Sequence, residues 1–160
     1  MKNTWMVSAF AAAAVTLGSS TAFAAAQGTA AEAKSMLQKA VTALKADKAQ
    51  ALNQFTKGEN GFRDRDLYPF CGGADGTFTA HPTLTGKSMK DLKGSDGEPV
   101  GTRLYDSAKE GEISEVEYVW PKPGASAPSP KVSYVTKVGD QVCAVGYYNC
   151  LLYTSDAADD

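Results

Sequence analysis

An α+β domain with a five-stranded antiparallel sheet backed by a long N-terminal helix is the fold this sequence predicts, and three observations predict it. Apolar residues recur at spacings of three and four over residues 30–55, which is helical periodicity. From residue 67 the period changes to that of strands, with turn signals between them. The order along the chain is long helix, two strands, a helical insertion, three strands, which segregates helix from sheet.

Taken in order, Ala33, Met36, Leu37, Ala40, Val41 and Leu44 form the first apolar stripe, and Ala51, Leu52 and Phe55 continue it after the polar step 45–48. One long helix, or two meeting near Asp47, fits this pattern. Residues 57–66 are polar with two glycines and read as loop. Residues 67–71 form a short aromatic strand, the turn Gly72-Gly73-Ala74-Asp75-Gly76 reverses it, and 77–81 return until Pro82 ends the strand. Residues 83–97 read as loop with one helical turn near 88–92. Residues 100–109 read as a helix with Leu104 and Ala108 facing inward, closed by Glu110-Gly111 as a C-cap. The last three strands are 113–120, 131–138 and 141–148, with Gly139-Asp140 as a two-residue hairpin turn.

The ends fall outside this domain. The chain has 160 residues. Lys2 precedes an apolar, uncharged run over 5–17, and Ala22-Phe23-Ala24 has the small-x-small pattern of a signal-peptidase site. The reading is a signal peptide over 1–24, a domain over 25–149 and a foreign or disordered tail over 150–160, where strand pattern stops. An apolar run this short does not comfortably span a bilayer, which takes about 20 residues. The expected location is therefore periplasmic or secreted. The net charge of −2 leaves no field favouring nucleic acid.

Enzyme signatures are missing. The single histidine, His81, rules out a His-rich metal site, and no nucleophile elbow, phosphate loop or dinucleotide fingerprint is present. The expectation is no catalytic residue, no metal and no cofactor. Of the three cysteines, Cys71 and Cys143 lie inside expected strands, so a disulfide forms if those strands are neighbours. The alternative is two buried thiols. The hairpin EYVWPKPGASAPSPKVSYV holds four of the seven prolines. By period two, Val116, Tyr118 and Trp120 share one face of its first strand. On the return strand Lys131, Ser133 and Val135 face one way, and Val132, Tyr134 and Thr136 the other. Lys131 and Tyr134 therefore serve one pocket only if a bulge or the loop turns Lys131. The plain alternative is an aromatic core with a solvated lysine.

The string DLYPFCGGADGTFTAHPTLTGKSMKDLKGSDGEPV, then EYVWPKPGASAPSPKVSYV, then GDQVCAVGYYN, resembles the single Cache domain of the second type, over about residues 31–149. The resemblance implies a PAS-like Cache sheet and a pocket for a small organic carboxylate of the acetate, propionate, pyruvate or lactate class. It implies a sensor role in signal transduction or chemotaxis, with a membrane histidine kinase or chemoreceptor as the further partner. Carried over by motif, Lys131 supplies the charge, Tyr118 and Tyr134 hydroxyl donors, His81 a ring N–H, and Trp120 and Phe70 an apolar wall. The proline-rich loop is a stiff rim. No kinase, methyl-accepting or second membrane segment is read here, so the expectation is a free periplasmic protein or a truncated receptor. The competing expectation is an interaction protein on the same scaffold, docking to a membrane sensor without a ligand of its own.

Overall fold

The computed structural model describes residues 27–149. The expected signal peptide and the tail from residue 150 lie outside the described residues.

The N-terminal stripe folds as two helices, α1 (Ala30–Ala46) and α2 (Lys48–Lys57), hinged at Asp47. Thr29 starts α1 with a capping box: its hydroxyl accepts from the Glu32 N–H, and the Glu32 carboxylate accepts from the Thr29 N–H. Asp47 has extended φ and ψ (−153° and 101°), so it ends α1. Its carboxylate then accepts from Gln50 N–H and starts α2. The α1 face carrying Ala33, Met36, Leu37, Ala40 and Leu44 is buried on the sheet together with Phe55 of α2.

The sheet has five strands: β1 (Pro69–Gly72), β2 (Phe78–Ala80), β3 (Ser114–Pro121), β4 (Pro128–Val138) and β5 (Gln141–Tyr148), in the order β2-β1-β5-β4-β3, every neighbour antiparallel. The turn Gly139-Asp140 joins β4 to β5, with Gly139 at φ 59°, where a side chain is disfavoured. The proline hairpin is longer than its pattern suggests. Pro121 pairs with Pro128 and Val119 with Pro130. These prolines are tolerated because β5 reaches only to the level of Lys131, opposite Tyr148, so no third strand needs their missing N–H groups.

One face of the sheet carries α1 and α2. The other is covered by the insertion and α3 (Val100–Ser107), which buries Val100 and Leu104 with Met89. Two sequence expectations need correction here. Residues 88–92 form turns rather than a helical turn, held by bonds such as Met89 N–H to Gly76 O. The end of α3 is Ala108, in extended conformation, not Glu110-Gly111. Glu110 instead forms an isolated parallel bridge to Lys137.

Cys71 and Cys143 are cross-strand partners on β1 and β5, and their sulfurs are bonded at 2.09 Å. The bond lies on the helix-facing side, fully buried.

Candidate functional site

Across β3, β4 and β5 the register aligns Tyr118, Lys131 and Tyr148 side by side. Directly paired residues share a face, and this face looks away from α1 and α2. Lys131 is 2% exposed. Its Nζ donates to Tyr68 Oη at 3.2 Å and lies 4.7 Å and 4.9 Å from the ring centroids of Tyr68 and Tyr148. An ammonium has three donors. Among the described residues the other two have no hydrogen-bonded partner, and no carboxylate pairs with Lys131. Burial without a counter-ion lowers its pKa from 10.5 to about 7, and the charge of Asp66 pulls weakly the other way.

Space for the lysine comes from Gly146. A β-carbon there would collide with Lys131 Cε and Ser133 Oγ. Asp66 is buried as well. One carboxylate oxygen accepts from Gly28 N–H at 2.6 Å, and the other has no partner among the described residues.

His81 follows β2 and sits among rings, with centroids 5.4 Å from Tyr68, 6.1 Å from Phe70 and 5.1 Å from Phe78. Its Nδ1 accepts from the backbone N–H groups of Thr83 (3.0 Å) and Leu84 (3.1 Å). That fixes the neutral tautomer with the proton on Nε2. Burial, reinforced by the positive charges of Lys131 and Arg63, holds its pKa down at about 4. At neutral pH the ring is an uncharged donor.

His81, Tyr118, Trp120, Lys131 and Phe70 surround one void, together with Tyr68, Phe78 and Leu92. The void is only about 10 Å³, room for roughly one water. Tyr68, His81 and Trp120 also line a larger cavity of about 330 Å³ that opens outward under the proline loop, against Arg63, Leu84 and Lys122. These three side chains are the partition between an inner niche at Lys131 and an outer vestibule.

Of the expected hydroxyl donors, Tyr134 is placed elsewhere and Tyr118 is already engaged. Tyr134 lies on the opposite face, in the helix-side core, stacked on Tyr147 at 5.8 Å with Lys34 Nζ 5.9 Å from its ring. Strand parity is the reason: β4 is regular through residue 131, with no bulge to turn either side chain. Tyr118 does face the niche, but its hydroxyl is already hydrogen-bonded to Ser133 Oγ at 2.8 Å. The lysine is also buried rather than solvated. The sequence reading left out Tyr68, Tyr148, Asp66 and Gly146. Tyr68 and Asp66 stood in the quoted Asp-Leu-Tyr string. Counting outward from the Gly139-Asp140 turn pairs Lys131 with Tyr148.

Several known proteins share this architecture. A methyl-accepting chemotaxis protein from Vibrio parahaemolyticus, known by its crystal structure, superposes with a TM-score of 0.60 at 28% identity, over 74% of this chain and 86% of that one. A Cache chemosensory domain whose structure explains its carboxylic acid recognition superposes with a TM-score of 0.57 at 25% identity, over 74% and 91%. The methyl-accepting chemotaxis protein McpP of Pseudomonas putida is 36% identical over 56 residues, which is 35% of this chain and only 10% of that receptor's length. Residues 12–155 match the family described as single Cache domain 2. Fold and sequence agree, and the chain belongs to the single Cache domain 2 family of sensor domains, with chemotaxis receptors among its relatives.

Proposed function

We propose that this domain binds a small organic carboxylate at the inner niche, with Lys131 as the neutralising cation. The observation that carries the reading is Lys131 itself. It is a buried ammonium beside a void, with two unspent donors and no acidic partner among the described residues. Leaving a charge so placed is costly, and an entering carboxylate relieves that cost by supplying both charge and acceptors. His81 Nε2–H and the Tyr118 hydroxyl are the neutral donors of the site, and Phe70 and Trp120 the apolar wall for the rest of the acid. Tyr134 has no part in it. The carboxylic acid recognition of the related Cache chemosensory domain supports the ligand class.

In the empty protein the niche admits about one water, so the acid enters from the vestibule and displaces the partition. Trp120, half-buried on the hairpin, is the least buried member of the partition. We assign the domain an extracytoplasmic sensing role without catalysis, working alongside a membrane kinase or chemoreceptor. The apolar run over 5–17, the Ala22-Phe23-Ala24 site and the buried disulfide support export. N-terminal sequencing of exported protein should give a start near Ala25.

The small niche also favours a second reading, an interaction scaffold with no ligand of its own. A thermal-shift screen of the full chain against acetate, propionate, pyruvate and lactate, followed by calorimetric titration, separates the two. The first reading expects at least one acid to bind and Lys131→Met to weaken it by about tenfold or more. Silence from all four acids favours the scaffold.

A further inference from the structure

The vestibule is more than a passage. We infer that the site takes a dianionic acid, one carboxylate on Lys131 in the niche and a second anionic group on Arg63 in the vestibule. The inference rests on the carboxylate reading above and narrows its ligand class.

The volumes motivate it. The niche holds about one water, whereas the vestibule of about 330 Å³ lies within the range typical of small-molecule sites. An acid whose carboxylate reaches Lys131 past Tyr68, His81 and Trp120 has its far end in that vestibule. The chemistry of the vestibule then decides what the far end is.

Among the described residues its lining includes two cations, Arg63 and Lys122, and no acidic side chain. Arg63 is exposed and makes no hydrogen bond or ion pair among the described residues. It lines the same cavity as Tyr68, His81 and Trp120, the three members of the partition. A guanidinium there offers a planar pair of donors to a carboxylate. Pro82, Pro121 and Pro123 supply rigid apolar walls without N–H donors of their own. A purely apolar tail would offer the Arg63 guanidinium no acceptor. A second carboxylate pairs with it.

The test compares butyrate with succinate, four-carbon acids that differ by the second carboxylate, in calorimetric titrations of the full chain. Succinate should bind about two- to fivefold more tightly, in line with one exposed charge pair. The advantage should shrink as salt is raised. Arg63→Gln should erase it while leaving butyrate within about twofold and the melting temperature unchanged, since Arg63 is exposed. Butyrate binding as tightly as succinate to the parent overturns the inference. So does an Arg63→Gln variant that weakens both acids equally. If butyrate binds and Lys131→Met weakens it by about tenfold or more while succinate shows no advantage, the carboxylate site stands and only the second subsite falls. If neither acid binds, nor any of the four smaller ones, both readings fall together.

Discussion

The stem of Lys131 lies on Gly146, and a β-carbon at position 146 would run into Lys131 Cε and Ser133 Oγ. This glycine is needed for space. Gly146→Ala should therefore cost about 1–3 kcal/mol in stability, the usual penalty for overpacking. It should also abolish acid binding, because the stem must lift off the sheet and carry the ammonium out of the niche. Thermal melts and calorimetry on the same preparation check both. An alanine variant that binds like the parent would mean that Lys131 reaches the ligand from more than one position.

Lys131→Met separates the site from the fold. Methionine matches the lysine stem and removes the buried charge together with its hydrogen bond to Tyr68. Removing a buried charge that no carboxylate pairs among the described residues relieves its desolvation cost. The empty variant should melt at or above the parent temperature. Binding should fall by roughly tenfold to more than a hundredfold, the loss of one charge-assisted contact of about 1.5–3 kcal/mol. A variant that unfolds would show that the ammonium contributes to the core through its contacts with Tyr68 and Tyr148.

Most of the fold was legible because local signals agreed. Asp47 breaks the helix within a continuous apolar stripe, and β5 runs over its expected residues because Gly139-Asp140 sets one edge. The limits of β1, β2 and β4 were less legible, since strand ends depend on how far the neighbour reaches. The site was partly legible. Period two already opposed Lys131 and Tyr134, and the regular β4 keeps them on opposite faces. The burial of Lys131 was not legible. It depends on Tyr68 from β1's approach, Tyr148 from β5 and the gap at Gly146, which meet only after the sheet has formed. Nothing local in the sequence marks the vestibule that Arg63 lines.

Binding should weaken as pH rises above about 7. Lys131 is lowered to about 7 by burial, so the empty protein loses its proton near neutrality. A carboxylate beside it restores the proton, so binding takes one up, and affinity falls by up to about tenfold per pH unit until the bound-state pKa is reached. The groups around it do not compete between pH 7 and 9. Tyr68 is pushed up to about 12, Tyr118 and Tyr148 lie above the usual tyrosine range, and His81 is held near 4. Asp66 acts through its negative charge, so Asp66→Asn should move the midpoint lower. The empty protein should show the converse: between about 7 and 10.5 its unfolded chain binds a proton that the fold has lost, so stability from this group rises with pH. Titrations at pH 6, 7, 8 and 9 check the first sign. Affinity flat across that range would mean that Lys131 stays charged in the empty protein.

Reducing the Cys71–Cys143 bond should lower stability by about 2–4 kcal/mol, because it closes a 72-residue separation in the unfolded chain. For a domain of this size that is roughly 10 °C or more in melting temperature. Both sulfurs are fully buried, so reduction should be slow in the folded state and rapid in denaturant. Thiol counting under denaturation, with Cys150 replaced, should find none before reduction and two after.

Two tyrosine-to-phenylalanine variants test which face of the sheet the ligand uses. Tyr134 stacks on Tyr147 in the helix-side core, so Tyr134→Phe should leave binding within about twofold of the parent. Tyr118 faces the niche and shares a hydrogen bond with Ser133, which is fully buried. Removing its hydroxyl leaves the Ser133 hydroxyl without that partner, which costs about 1–3 kcal/mol of stability. The effect on binding depends on who donates. If Ser133 donates to Tyr118, the phenolic proton remains for the acid, and Tyr118→Phe should also weaken binding by about 1 kcal/mol, roughly fivefold. That is the expected result, because a serine hydroxyl can turn to donate while the phenol proton stays near the ring plane and the niche. Lower stability with unchanged affinity would assign the proton to Ser133 and leave His81 Nε2 as the neutral donor to the carboxylate.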